Sequence, residues 1–107
     1  QVDRYESDPL CGFPCTIGLW TDFIGGILSL DPDQWPQDLP MHLMAGDQDP
    51  VGEMGKGFSR HVADLRNAGV TVTSERLFKG ARHELVNETV ADQVWQHIYQ
   101  CLAHTNP

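Results

Sequence analysis

The sequence predicts an α/β fold in which two parallel strands alternate with helices, preceded by a separate apolar helix. Residues 41–45 form a short apolar run ending in glycine, as is typical of a strand in a buried parallel sheet. Residues 54–68 have apolar positions at helical spacing, and residues 70–78 are rich in β-branched side chains. Short connections between these segments indicate a βαβ crossover, in which the two strands lie parallel.

The flanking segments complete the order of elements. Residues 1–16 contain several Pro and Gly breakers and are expected to form loops. Residues 17–30 are expected to form a helix with an unusually wide apolar face, and residues 31–40, rich in Pro and Asp, a connector. A last helix is predicted over residues 89–104. Its buried stripe would consist of Val90, Val94, Ile98 and Cys101.

Composition narrows the class of protein. The 107 residues suffice for one small domain, and the net charge of -8 disfavours nucleic acid and anionic membrane surfaces as partners. The sequence contains no apolar run of about 20 residues and no signal-peptide pattern. Three cysteines at uninformative spacing favour free thiols over a Cys11–Cys15 bridge or a metal site. These observations lead us to expect a cytoplasmic protein.

Two loops leave the carboxyl ends of the predicted strands, where parallel sheets gather their ligands. Residues 46–52 read GDQDPVG and supply carboxylates, and residues 80–85 read GARHEL and supply a histidine. Parallel strands bring these loops side by side. A carboxylate that orients one imidazole nitrogen, while the other nitrogen takes a proton, is two thirds of a nucleophile–base–acid triad.

The same loops resemble a known family. Residues 45–52 (AGDQDPVG) are similar to the loop after the seventh strand in α/β-hydrolases of the monoacylglycerol lipase and lysophospholipase group. Residues 80–84 (GARHE), followed by Asn87 and Glu88, resemble that group's loop carrying the triad histidine, and the order acid then histidine also agrees. The resemblance implies that residues 1–39 are the end of a cap or lid. Residues 40–107 would then be the C-terminal βαβα part of the α/β-hydrolase core.

By this resemblance Asp49 is the triad acid and His83 the base of a serine hydrolase acting on acyl esters or lipids. Asp47 is the rival acid, although the turn leaving the strand is where Asp commonly bonds backbone amides. Trp20, Phe23 and Ile24 of the apolar helix would contact the acyl chain, although core packing uses the same residue types. Two further substrate contacts are expected from the loops. These are Val51 and Leu85.

The nucleophile is the missing part. A serine hydrolase of this fold needs a Gly-x-Ser-x-Gly elbow, and the sequence contains none. None of the four serines lies at a predicted strand-to-helix elbow, and a two-stranded parallel sheet requires further strands. We therefore expect the serine in an absent N-terminal half of the same fold. A separate polypeptide, or a non-catalytic module that binds a protein partner through the sheet edge and the apolar helix, stays open.

Other sites are disfavoured. Asp47 and Asp49 resemble the start of a calcium loop, but Val51 and Phe58 occupy later ligand positions, so neither a metal nor a cofactor is expected. A dinucleotide site is not expected either, because no Gly-rich loop has the required spacing. The remaining histidines are expected to have structural or surface positions without a catalytic role. They are His42, His61, His97 and His104.

Overall fold

A computed structural model describes residues 2–104, and it describes the side chains of residues 3–103. The chain divides into two compact units, Gln1–Asp31 and Pro32–Pro107. No helix in the described part is long and apolar enough to cross a membrane.

The first unit contains two helices, α1 (Val2–Ser7) and α2 (Ile17–Leu28). The expectation of loops throughout residues 1–16 was therefore wrong for α1, because the Pro and Gly breakers begin only after Ser7. Helix α2 agrees with the prediction, and its start is stabilised by Thr16, whose Oγ1 accepts the Leu19 N–H (3.1 Å). No residue of α2 is buried, so its apolar side chains stay exposed.

The second unit has the predicted order of elements. Strand β1 (Met41–Gly46), helix α3 (Lys56–Asn67), strand β2 (Val72–Phe78) and helix α4 (Ala91–His104) follow one another along the chain. Short 3-10 helices lie at Pro32–Gln34 and Leu85–Asn87. The two strands pair in parallel, from Met41 opposite Val72 to Gly46 opposite Phe78, which confirms the predicted α/β arrangement.

Helix α3 begins two residues later than its apolar spacing indicates. Glu53, Met54 and Gly55 all have positive φ values, of 51°, 54° and 85°. This left-handed backbone cannot continue into a right-handed helix, so the helix starts only at Lys56. Its end is as predicted, because Gly69 (φ 84°) follows the last turn and the Val70 N–H bonds the Leu65 carbonyl (3.0 Å).

The core of the second unit lies where β2 meets α4. Phe78, Ala81 and Val94 are buried together. Four half-buried side chains pack against them, namely Met44, Leu85, Val90 and Ile98. Residues 41–45 of β1 are only half-buried, which corrects the expectation of a strand buried on both faces. Two strands and two helices do not supply enough side chains to cover both faces of the sheet.

Candidate active site

Backbone hydrogen bonds join the two loops at the carboxyl ends of β1 and β2. The Asp47 N–H donates to the Phe78 carbonyl (3.1 Å), and the Gln48 N–H donates to the Ala81 carbonyl (2.9 Å). These bonds continue the parallel pairing of the strands for two residues beyond Gly46. The acidic loop and the histidine loop therefore leave the sheet in contact, as the topology predicts.

Asp49 and His83 meet across this junction although 34 positions separate them. His83 Nδ1 lies 2.9 Å from Asp49 Oδ2, and the Val51 N–H donates to the other carboxylate oxygen, Oδ1 (2.9 Å). Asp49 is only 7% exposed. The His83 side chain is 66% exposed. A buried carboxylate thus holds one imidazole nitrogen, and Nε2 is the nitrogen left for proton transfer.

The contact also shifts the pKa of both partners. Burial by itself raises the pKa of Asp49, but the hydrogen bonds from His83, Val51 and Gly52 and the charge of His83 outweigh burial and lower it below its ordinary 3.8. The hydrogen bond and the charge of Asp49 raise the pKa of His83 above its ordinary 6.5, and Glu84 contributes in the same direction. A carboxylate beside an imidazole favours the imidazolium, which is the charge that a general base acquires.

Asp47 has a different position. Its Oδ1 accepts the N–H of Gly80 (2.7 Å), so this carboxylate bonds a backbone amide of the opposite loop. The structure brings Asp49, and not Asp47, onto His83. Asp47 joins the two loops at their base, where they leave the strands.

Gly46 allows the loops to approach each other. A Cβ at this position would lie 2.1 Å from the carbonyl oxygen of Ala81 and 2.5 Å from that of Arg82. Both are backbone atoms of the histidine loop, and no side-chain rotation could relieve such a contact. Only glycine fits here, because the loop that carries His83 packs directly against the Gly46 backbone.

Glu88 belongs to the stretch that resembles the family's histidine loop, and its side chain contacts Arg82. Its side chain is 7% exposed, and Oε1 accepts both the backbone N–H (3.1 Å) and the Nε (3.2 Å) of Arg82. Arg82 directly precedes His83. A carboxyl residue six positions after Arg82 carries no periodic signal, so sequence patterns alone did not identify this contact.

The expected substrate contacts lie in both units. Val51 follows Asp49 by two residues and is 75% exposed. Leu85 is half-buried against the core cluster of Phe78, Ala81 and Val94. Trp20, Phe23 and Ile24 are exposed on α2 of the first unit, where the rings of Trp20 and Phe23 contact each other edge to face.

The other histidines lie on β1, α3 and α4, outside the two loops that carry Asp49 and His83. His61 is exposed on α3 and its ring contacts Trp35. His97 is half-buried on α4, where burial lowers its pKa. The side chain of His104 lies outside the described residues.

His42 lies within β1, as expected, but only one of its ring nitrogens has a hydrogen-bond partner among the described residues. Its Nδ1 bonds Ser74 Oγ (2.7 Å), but its buried Nε2 has no partner in the described part of the chain. It borders a cleft of about 250 Å³ under α4. The other residues that line this cleft are Thr73, Ser74, His97, Gln100 and Cys101.

Within the described residues, no group of three acidic, histidine or cysteine side chains is arranged to hold a metal ion. Among the residues that the structure describes, Cys11, Cys15 and Cys101 are not joined by disulfide bonds. Ser59 lies within α3 and Ser74 within β2, so neither is at a strand-to-helix elbow.

Comparisons with known proteins agree with this picture at the level of a family. A family model described as Hydrolase_4, serine aminopeptidase, S33, matches residues 1–90, well over half of the chain. No curated protein and no solved structure gave a match. The matched stretch includes both loops and the Asp49–His83 contact.

Proposed function

This chain belongs to the Hydrolase_4 family of S33 serine aminopeptidases, and from that premise we propose that Asp49 and His83 are the acid and base of a Ser–Asp–His triad. The family is one of hydrolases with the α/β-hydrolase fold. One observation carries the proposal, the 2.9 Å hydrogen bond between a buried carboxylate and an exposed imidazole at the carboxyl edge of a parallel sheet.

The proposed reaction uses the two imidazole nitrogens differently. His83 keeps its proton on Nδ1 and donates a hydrogen bond from it to Asp49, so Nε2 is unprotonated and accepts the proton of a serine hydroxyl as that oxygen attacks the substrate carbonyl. The imidazolium that forms is stabilised by the Asp49 charge. His83 then returns the proton to the leaving group, and water releases the acyl group by the same route.

The serine is proposed to lie in a part of the fold outside these 107 residues. The sequence contains no Gly-x-Ser-x-Gly elbow. The half-buried β1 strand in a two-stranded parallel sheet supports the same idea, since such strands are normally covered on both faces. In this proposal residues 40–107 are the C-terminal part of the hydrolase core, and residues 1–39 are the end of a cap.

The proposed substrate is a carboxylic ester with an apolar acyl group, such as a lysophospholipid or an acylglycerol. Support comes from exposed apolar side chains on α2, and from the exposed Val51 beside Asp49. The family description supports a second candidate, an aminopeptidase, which would cleave the amide bond after an N-terminal residue. Both reactions use the same acid and base, so the Asp49–His83 contact does not discriminate between them.

A fluorophosphonate tests the triad, because it phosphonylates a serine only when that serine is activated by its histidine. We expect one covalent adduct on the complete protein, seen as a single increment in intact mass. The adduct should be lost in His83→Ala and kept in His61→Ala, the matched exposed histidine on α3. Absence of an adduct on the folded wild-type protein would refute the proposal and favour a module that binds a protein partner.

Substrate pairs then separate the two candidates. We expect the nitrophenyl ester of a fatty acid to be hydrolysed much faster than the nitroanilide of an amino acid. The reverse order would refute the ester hydrolase and support the aminopeptidase.

A further inference from the structure

The carboxylate of Glu88 is removed from solvent and faces the loop of the catalytic histidine. Its side chain is 7% exposed, and Oε1 accepts two hydrogen bonds from Arg82, the residue directly before His83. An ionised carboxylate in such a place is costly unless hydrogen bonds compensate for the lost water. Arg82 is therefore held in place by the hydrogen bonds that the buried Glu88 carboxylate accepts from it.

The two bonds from Arg82 differ in importance. The Arg82 guanidinium group is 62% exposed, and exposed ion pairs contribute little because water competes for both charges. The bond from the backbone N–H (3.1 Å) instead restrains the main chain itself. The main chain at Arg82 sets the direction in which the next residue, His83, projects.

Glu88 is itself held firmly. Its N–H bonds the Leu85 carbonyl (3.3 Å), and its own carbonyl accepts the N–H of Ala91 at the start of α4. Leu85 packs against the core cluster, and Val94 of α4 belongs to it. Glu88 thus connects the histidine loop to the start of α4, next to the core cluster.

We propose that Glu88 is a positioning residue, whose carboxylate holds the Arg82 backbone so that His83 Nδ1 faces Asp49. The inference rests on the proposed function, because it assigns Glu88 to the same acid–base pair. Glu88 contacts neither Asp49 nor His83 and acts only through the loop.

Direct electrostatics do not explain this role. The charged groups that shift the pKa of His83 are Asp49 and Glu84, and Glu88 is not among them. Loss of the Glu88 charge alone should therefore leave the pKa of His83 unchanged. A shorter side chain at position 88 should instead lower the pKa of His83, because the Arg82 backbone would lose its hydrogen bond and the loop could move.

Two substitutions separate charge from reach. Glu88→Gln loses the charge but keeps an oxygen at the same distance, so it can still accept the Arg82 N–H. Glu88→Asp keeps the charge but is shorter by one carbon–carbon bond of about 1.5 Å. Its oxygen would lie too far from the Arg82 N–H for a hydrogen bond.

The experiment is an NMR titration of the His83 imidazole in the complete protein, with ester hydrolysis measured beside it. We expect Glu88→Gln to keep the raised pKa of His83, and Glu88→Asp to lower it toward 6.5. In Glu88→Asp, kcat should fall on the order of 10²-fold with KM little changed, since a misplacement of about 1 Å has that effect. Arg82→Ala retains the backbone N–H and should keep the wild-type pKa of His83.

Three results would overturn the inference. These are a raised His83 pKa in folded Glu88→Asp, an equal fall in Glu88→Gln and Glu88→Asp, or a fall in Arg82→Ala. The titration needs no enzymatic activity. A protein without esterase activity would therefore refute the proposed function while the NMR result still decides the role of Glu88.

Discussion

Replacement of Gly46 by alanine is the sharpest test of the way the two loops meet. Gly46 has no positive φ, so alanine is compatible with its backbone conformation. The new Cβ would lie 2.1 Å from the Ala81 carbonyl oxygen, whereas ordinary contact begins at 3.4 Å. The histidine loop must therefore move by more than 1 Å. The effect of Gly46→Ala comes from this steric contact and not from backbone strain.

The expected loss of stability follows from two effects. Forcing extra volume into a packed site destabilises by about 1–3 kcal/mol. The hydrogen bond from Gln48 N–H to the Ala81 carbonyl is displaced with it, and its loss costs about 1 kcal/mol. We expect the free energy of unfolding to fall by about 2–4 kcal/mol, the sum of these two ranges.

Urea denaturation of the complete protein measures this change, and Gly80→Ala is the matched control. Gly80 lies in the histidine loop with φ of 75°, but a Cβ there meets nothing within 4 Å. Alanine at Gly80 should cost only the left-handed backbone term, about 1–2 kcal/mol, and leave the His83 pKa raised. Gly46→Ala should cost more and lower that pKa toward 6.5.

A Gly46→Ala protein whose free energy of unfolding matches the wild type, and whose His83 pKa stays raised, would refute this account of how the loops meet. In that case either the Ala81 carbonyl oxygen would lie further from a Cβ at position 46 than 2.1 Å, or the histidine loop would move without changing the Asp49–His83 contact.

Three further predictions concern the identity of the acid, the pH dependence of labelling and the pH dependence of stability. Asp49→Asn should reduce ester hydrolysis by about 10⁴-fold, whereas Asp47→Asn should reduce it far less, because Asp47 bonds Gly80 and not His83; the opposite ranking in kcat would make Asp47 the acid. The rate of fluorophosphonate labelling should rise with pH to a midpoint above 6.5, since the base must be neutral, and Asp49→Asn should move that midpoint down; a midpoint at or below 6.5 in wild type would contradict the raised pKa. The raised pKa of His83 stabilises the folded state at pH values below 6.5, and this stabilisation is lost as pH rises through the pKa of His83 in the folded protein. The lowered pKa of Asp49 stabilises the folded state at pH values above 3.8, and this stabilisation is lost as pH falls through the pKa of Asp49 in the folded protein. Urea denaturation should therefore show the largest contribution of the pair to stability between pH 3.8 and pH 6.5.

Much of the fold and the central contact of the site could be predicted from the sequence. The periods of apolar residues are local properties, and they indicated β1, α3, β2 and α4 in order. One topological rule, that parallel strands end at the same edge, then placed the acidic loop beside the histidine loop, and the family resemblance singled out Asp49 as the partner of His83. No distance between segments was needed for either step.

Other features could not be obtained in this way. The late start of α3 comes from the left-handed conformation of Glu53 and Met54, residue types that seldom adopt it. The short helix α1 has only six residues, too few for a periodic pattern to stand out. The half-burial of β1 depends on how many layers surround it, and its apolar run does not encode that number.

The sequence by itself determined the order of the elements, the parallel pairing and the two loops that meet, because each follows from local periodicity or a general rule of topology. Only the tertiary structure showed that Asp49 bonds His83 while Asp47 bonds Gly80, that Gly46 admits no side chain, and that Glu88 accepts the Arg82 backbone N–H. The physical reason is distance. These contacts depend on atomic separations of about 2–3 Å between residues from six to 35 positions apart, and no periodic pattern along one segment contains such distances.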